Sequence, residues 1–109
     1  MQLIEIFKRC NHLTIYDQRC VSDEFIELVF YNKDLPDWYK SITSVLGEPR
    51  KAQNCEPNAN DLKLTARTGG IRFEQTLFEK TFEEGTIIAK FWPWHDGTHT
   101  TLRVALLQS

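Results

Sequence analysis

A chain of 109 residues with 41% hydrophobic and 26% charged side chains is long enough to bury a core and too apolar to be a disordered tail. No apolar run approaches the roughly 20 residues that span a bilayer, and the opening MQLIEIFKRCNH has no basic head, apolar core and small-residue cleavage site in sequence, so one cytoplasmic domain over residues 1–109 is expected, with no membrane partner. A net charge of −2, with basic residues scattered along the chain, argues against a general nucleic-acid binder.

In chain order, Leu3, Ile6, Phe7 and Cys10 fit one face of a short N-terminal helix, with Asn11 suited to its end. LIEIF also tolerates a strand. The segments LTIY (13–16) and EFIELVFY (24–31) are rich in β-branched and aromatic residues and read as strands, with DQRCVSD as the loop between them. FIELVF is apolar on both faces, which places it centrally or under a helix.

The clearest element is a helix over 35–46. Leu35, Trp38, Tyr39, Ile42, Val45 and Leu46 recur at helical spacing as one apolar stripe. Asp34 is suited to the N-cap and Pro36 to the first turn, while Gly47 and Pro49 end the helix. Trp38 is expected in the core. From Gly47 to Asp61 the text is polar and aperiodic, a loop longer than the usual connection, best read as a crossover from the helix to the sheet. Arg50, Lys51 and Cys55 are its chemically notable residues.

The remainder reads as strands separated by glycine: DLKLTART to Gly69-Gly70, IRFEQTLFEKTFE to Glu84-Gly85, TIIAKFWPW to Asp96-Gly97, then HTTLRVALL. The expected fold class is therefore α+β. It is an antiparallel sheet, a four-stranded C-terminal meander plus the N-terminal strands, packed against the helix at 35–46.

Turn positions imply register. Around Asp96-Gly97, Trp94 opposes His99, Trp92 opposes Thr101, Phe91 opposes Leu102 and Lys90 opposes Arg103. Ile87, Ala89, Phe91, Leu102, Val104 and Leu106 then share a core face, and Ile88, Lys90, Trp92, Trp94, His99, Thr101 and Arg103 share the other. Around Glu84-Gly85, Phe82 opposes Ile87, Phe78 opposes Phe91, and Glu79 falls beside Lys90, giving a Glu79–Lys90–Arg103 ladder. Through Gly69-Gly70, Leu62, Leu64 and Ala66 align with Leu77, Gln75 and Phe73 on the face opposite Phe78 and Phe82. Either both faces are apolar at that end, or a bulge at Leu77-Phe78 shifts the parity.

The site residues singled out are Trp92, Trp94, His99 and Arg103, two indoles with a guanidinium that can stack a flat ligand or seat an apolar partner. The plainer reading puts the 35–46 helix over this face. Trp92, deeper from the turn, is assigned to the core and Trp94 to the surface, so Trp94→Ala is expected to change stability by no more than about 1 kcal/mol. Three widely spaced cysteines make no disulfide framework, HDGTH makes a weak metal signal with His95 and His99 on opposite faces, and no phosphate loop or nucleophile elbow is present. No metal and no cofactor is expected.

The first functional reading is a non-catalytic module that binds a small molecule or protein, or pairs as a homodimer through its terminal strand. The alternative is a small enzyme using Cys55, or a metal held among Cys10, His12, His95 and His99. A weaker alternative is single-stranded nucleic-acid binding on the tryptophans, against which the acidic pI counts.

Overall fold

Five antiparallel strands form one sheet in the order β1-β2-β5-β4-β3, with two helices on one face and a third on the other. The computed structural model describes residues 1–107. The elements are α1 (Leu3–Cys10), β1 (Asp17–Val21), β2 (Phe25–Tyr31), α2 (Leu35–Leu46), α3 (Ala59–Thr65), β3 (Thr76–Phe82), β4 (Gly85–Pro93) and β5 (His99–Leu107). The α+β class and the antiparallel sheet are as expected from sequence. Among the described residues no helix is long and apolar enough to cross a membrane.

The N-terminal segment resolves to the helix, and Asn11 caps it. LTIY is not a strand. Leu13 and Ile15 instead pack against the core as a connection, and β1 is formed by DQRCV, read from sequence as loop. An edge strand bearing Asp17 and Arg19, almost wholly exposed, lacks the apolar alternation that identifies inner strands. It joins β2 through backbone pairing, with a register shift between Gln18 and Cys20.

Helix α2 occupies residues 35–46 as its periodicity requires, burying Trp38, Ile42, Val45 and Leu46. Asp34 does not cap it through its side chain. A short 3-10 turn at Asn32–Asp34 leads into the helix instead, which takes Asp34 out of capping geometry. Gly47 ends the helix at φ +80° and donates its N–H to Thr43 O. With α1, the apolar face of α2 covers Ile26, Leu28, Phe30, Phe78, Ile87, Ala89, Phe91, Leu102 and Val104. Phe30 stacks on Trp38 at 4.9 Å between ring centroids, and Phe91 meets Phe30 and Phe78 edge-on.

The largest departure lies at 61–68, where a strand was expected and α3 with a 3-10 turn at Ala66–Thr68 is found. The alternation of Leu62 and Leu64 is misleading, because the local signal that decides is a capping box. Asn58 Oδ1 accepts from the Asp61 N–H at 2.8 Å, and Asp61 Oδ2 accepts from the Asn58 N–H at 3.0 Å. Gly69-Gly70, expected as a hairpin turn, ends this helical segment with both residues at positive φ. The C-terminal meander therefore has three strands, not four.

The 47–58 loop is a crossover, carrying the chain from the α2 face around the β3 edge to the other face. On the way Leu77 exchanges backbone hydrogen bonds with Lys51, and α3 then lies over Ile71, Leu77, Ile88 and Ala105. With no strand at 61–68, the parity conflict at Leu77-Phe78 disappears without a bulge. Both residues are fully buried, Leu77 under the α3 segment and Phe78 under α2, so the sheet is apolar on both faces at that end.

Around Asp96-Gly97 the register is as expected: Lys90 opposes Arg103, Phe91 opposes Leu102 and Trp92 opposes Thr101, and the Trp94 N–H bonds His99 O. The β3–β4 hairpin keeps the expected faces but slips by two positions. Phe82 opposes Gly85, and Phe78 opposes Ala89, so the turn residues are Glu83-Glu84 with glycine fourth, a place it favours. Glu79 therefore opposes Ile88 and bonds Arg50, and the Glu79–Lys90–Arg103 ladder does not form. Gly85 sits at φ +140°, where an added Cβ would lie 2.8 Å from Leu107 O. Gly85→Ala is expected to cost about 1–3 kcal/mol in urea unfolding, because backbone atoms of two strands would have to move apart.

Candidate binding surface

The sheet face opposite α2 is divided. One half is covered by residues 59–71, and Lys90 fastens that cover: its Nζ, almost wholly buried, donates to the carbonyls of Thr68 and Gly70. Arg50 fastens the same segment from outside, with Nε 2.7 Å from Asp61 Oδ1 and Nη1 2.6 Å from Glu79 Oε1. Arg50 and Lys51, flagged in the loop, are thus structural ties. Cys55 is exposed, with no site built around it among the described residues.

The other half of this face is uncovered, and the aromatic residues collect there. The four residues selected from sequence lie on it together: Trp92, Trp94, His99 and Arg103. The α2 stripe lies on the opposite face, so it does not cover the tryptophans. Both are half-buried, so Trp92 is not core and Trp94 not fully exposed.

Pairing of β2 with β5 adds residues that sequence reading did not connect. Tyr31 opposes His99 and Glu27 opposes Arg103. Tyr16, just before β1, is 51% exposed, with its ring 4.4 Å from His99 and 5.3 Å from Tyr31. Trp94 lies 4.9 Å from His99, giving a continuous row of Tyr16, Tyr31, His99 and Trp94. The alternation Phe25-Glu27-Val29-Tyr31 held the signal for a half-polar outer face on β2, but its partner strand could not be read from sequence.

Two guanidiniums flank the row. Arg103 sits 4.6 Å above the Trp92 ring and donates to Glu27 Oε1 at 2.7 Å, and Arg19 sits 5.5 Å above Trp94 while pairing with Asp17 and Glu27. Both guanidiniums are therefore matched by carboxylates, while the Lys33 ammonium, 5.7 Å over the Tyr31 ring, has no carboxylate partner among the described residues.

The Asp96 turn shapes His99. Asp96 accepts the N–H groups of Thr98 and His99, and its Oδ2 lies 2.6 Å from His99 Nδ1. These contacts, the Thr98 N–H foremost, hold the Asp96 carboxyl well below the usual carboxylate range. A carboxylate only accepts, so Nδ1 is the donor in this contact. Nε2 is buried beneath the neighbouring rings with no partner among the described residues.

His95 is an exposed turn residue, and Cys10, the last residue of α1, lies in the core, its thiol pushed up to about 11 by burial. Cys10, His12, His95 and His99 are thus not brought together, and among the described residues no three His, Cys, Asp or Glu side chains converge as metal ligands would. Comparison of the chain with known protein families, curated proteins and solved structures finds no match.

Proposed function

We propose that the protein is a non-catalytic interaction module that seats a segment of a partner protein on the aromatic row of Tyr16, Tyr31, His99 and Trp94. The observation that carries this reading is the division of one sheet face. Half is closed by a tied-down helical cover, and the other half carries four aromatic rings in contact, Tyr16 exposed and the other three half-buried beside it. Aromatic rings held in place by neighbours offer contact area at low entropic cost, and interfaces draw disproportionately on Tyr, Trp and Arg. The unpartnered Nε2 of His99 is a polar atom that a group from the partner would satisfy once the outermost ring, Tyr16, moves aside.

The charge pattern favours a protein partner over nucleic acid. Arg19 and Arg103 are already paired with Asp17 and Glu27, which leaves Lys33 as the one unpaired cation against the row among the described residues, far fewer than the several phosphate contacts nucleic-acid binding draws on. Homodimerisation through the terminal strand is not proposed, because β5 is flanked by β2 and β4 and has no free edge.

Trp94→Ala is expected to cost about 1–2 kcal/mol of stability, slightly more than sequence alone implied. The indole Nε1 donates to Thr101 Oγ1 at 2.7 Å, and the ring contacts His99. The variant remains folded. With p-benzoylphenylalanine in place of Tyr16, light-induced crosslinking in source cells should yield a discrete adduct, and Trp94→Ala should abolish it. The same probe in place of exposed Lys8, on α1, is the control. Identical adducts from both positions, no adduct from position 16, or an adduct indifferent to Trp94→Ala would reject the reading.

A further inference from the structure

The α2 face of the sheet holds a separate cavity of about 250 Å³ between the start of α2, the 52–53 loop and the ends of β3, β4 and β5. Tyr39, Phe91 and Pro93 form apolar wall, with the Tyr39 and Phe91 rings near parallel at 6.3 Å between centroids. Gln53, Glu74 and Thr76 supply the polar side. An apolar cavity of roughly 150 Å³ already accepts benzene, so this volume admits one ring with a short substituent.

Two features say what that substituent carries. Thr76 lines the cavity with a hydroxyl that makes no hydrogen bond to another described residue. A hydroxyl at the wall can donate to, or accept from, a polar group placed in the cavity. Glu74 is the one charged side chain among the lining residues. The nearby ammonium of Lys51 is turned away, bonded through Nζ to the carbonyls of Ala52 and Phe73 at 2.9 Å and of Gln75 at 2.5 Å. Those bonds fix the backbone on both sides of Glu74 and beside Gln53, so the wall is formed in advance.

We infer that this cavity binds a small aromatic amine, its ring against Tyr39, Phe91 and Pro93, its ammonium at the Glu74 carboxylate and a ring hydroxyl or amino group at Thr76. The site lies on the opposite side of the sheet from the aromatic row and does not depend on it.

The test is a titration followed by ¹⁵N–¹H NMR with three probes of one shape: tyramine, 4-ethylphenol and 3-(4-hydroxyphenyl)propionate. Tyramine should shift the amides of Thr76, Phe91 and Thr100 saturably, and the propionate should bind at least tenfold more weakly. Glu74→Gln, at a half-exposed position, should weaken tyramine at least tenfold and leave 4-ethylphenol unchanged. The inference falls if no probe gives saturable shifts at those amides, if tyramine and the propionate bind alike, or if Glu74→Gln leaves tyramine affinity intact. Because the ammonium-versus-carboxylate comparison uses the unaltered protein, it decides the matter even if the variant is poorly folded.

Discussion

Trp38→Ala is expected to lower the free energy of unfolding by about 3–5 kcal/mol in a urea titration, the cost of emptying a buried aromatic site. Trp38 is fully buried in the middle of the α2 stripe and stacks on Phe30, so its removal opens a void between helix and sheet that neither rigid layer can close. Its indole Nε1 has no partner among the described residues. Trp38→Phe, which deletes that unmet donor while keeping a ring against Phe30, should therefore recover more than half of the loss. A loss below about 1 kcal/mol for the alanine variant would mean that α2 does not close the core.

The second large effect is expected at Lys90. Lys90→Ala withdraws the donor shared by the Thr68 and Gly70 carbonyls, leaving both unmet beside a sheet face, at a cost of about 2–4 kcal/mol. The loss should be local before it is global. Amide exchange at residues 66–71 should accelerate while the amides of β2 and β5 keep their protection.

The same lysine makes stability depend on pH. Burial, and secondarily the Arg103 guanidinium, push the Lys90 amine down to about 8, below its ordinary value of 10.5. The unfolded chain then holds more protons than the folded one between those values, so this residue's contribution to stability rises with pH across that window and is flat below it. Against Lys90→Met, the wild type should gain on the order of 2–3 kcal/mol between pH 8 and 10.5. A constant difference would show that Lys90 titrates normally and is not enclosed.

What could be read in the sequence divides along physical lines. Helix α2 was legible because one stripe, an early proline and a terminal glycine all agree on the same boundaries. The β4–β5 register was legible because an Asp-Gly turn fixes pairing, and with it the shared face of Trp92, Trp94, His99 and Arg103. The β3–β4 register slipped because three residues in a row, Glu83, Glu84 and Gly85, can all serve a turn, and alternation constrains only the parity.

Residues 61–68 misled because a short helix held by its cap and by Arg50 needs no apolar stripe of its own. Its Leu62 stays exposed, so burial never imposed a helical period. Tyr16, Tyr31, Arg19 and Glu27 joined the candidate surface only through the pairing of β2 with β5. That pairing spans most of the chain, and nothing local encodes it.

The central place of β5 also governs how the molecule comes into being. Chain growth delivers the β1–β2 hairpin and the β3–β4 hairpin first, each with apolar side chains to cover and a bare inner edge, and the strand that joins them is made after both. Its contacts with β2 close long loops, Arg103 reaching Glu27 across 76 positions, so the ordering cost falls due before most of the core forms. Assembly should accordingly be slow for a protein of this size and close to all-or-none. During translation the two waiting edges are the hazard: until β5 slots between them they can capture one another's counterparts on neighbouring nascent chains, and a ribosome that stalls before residue 99 would release a species primed to aggregate.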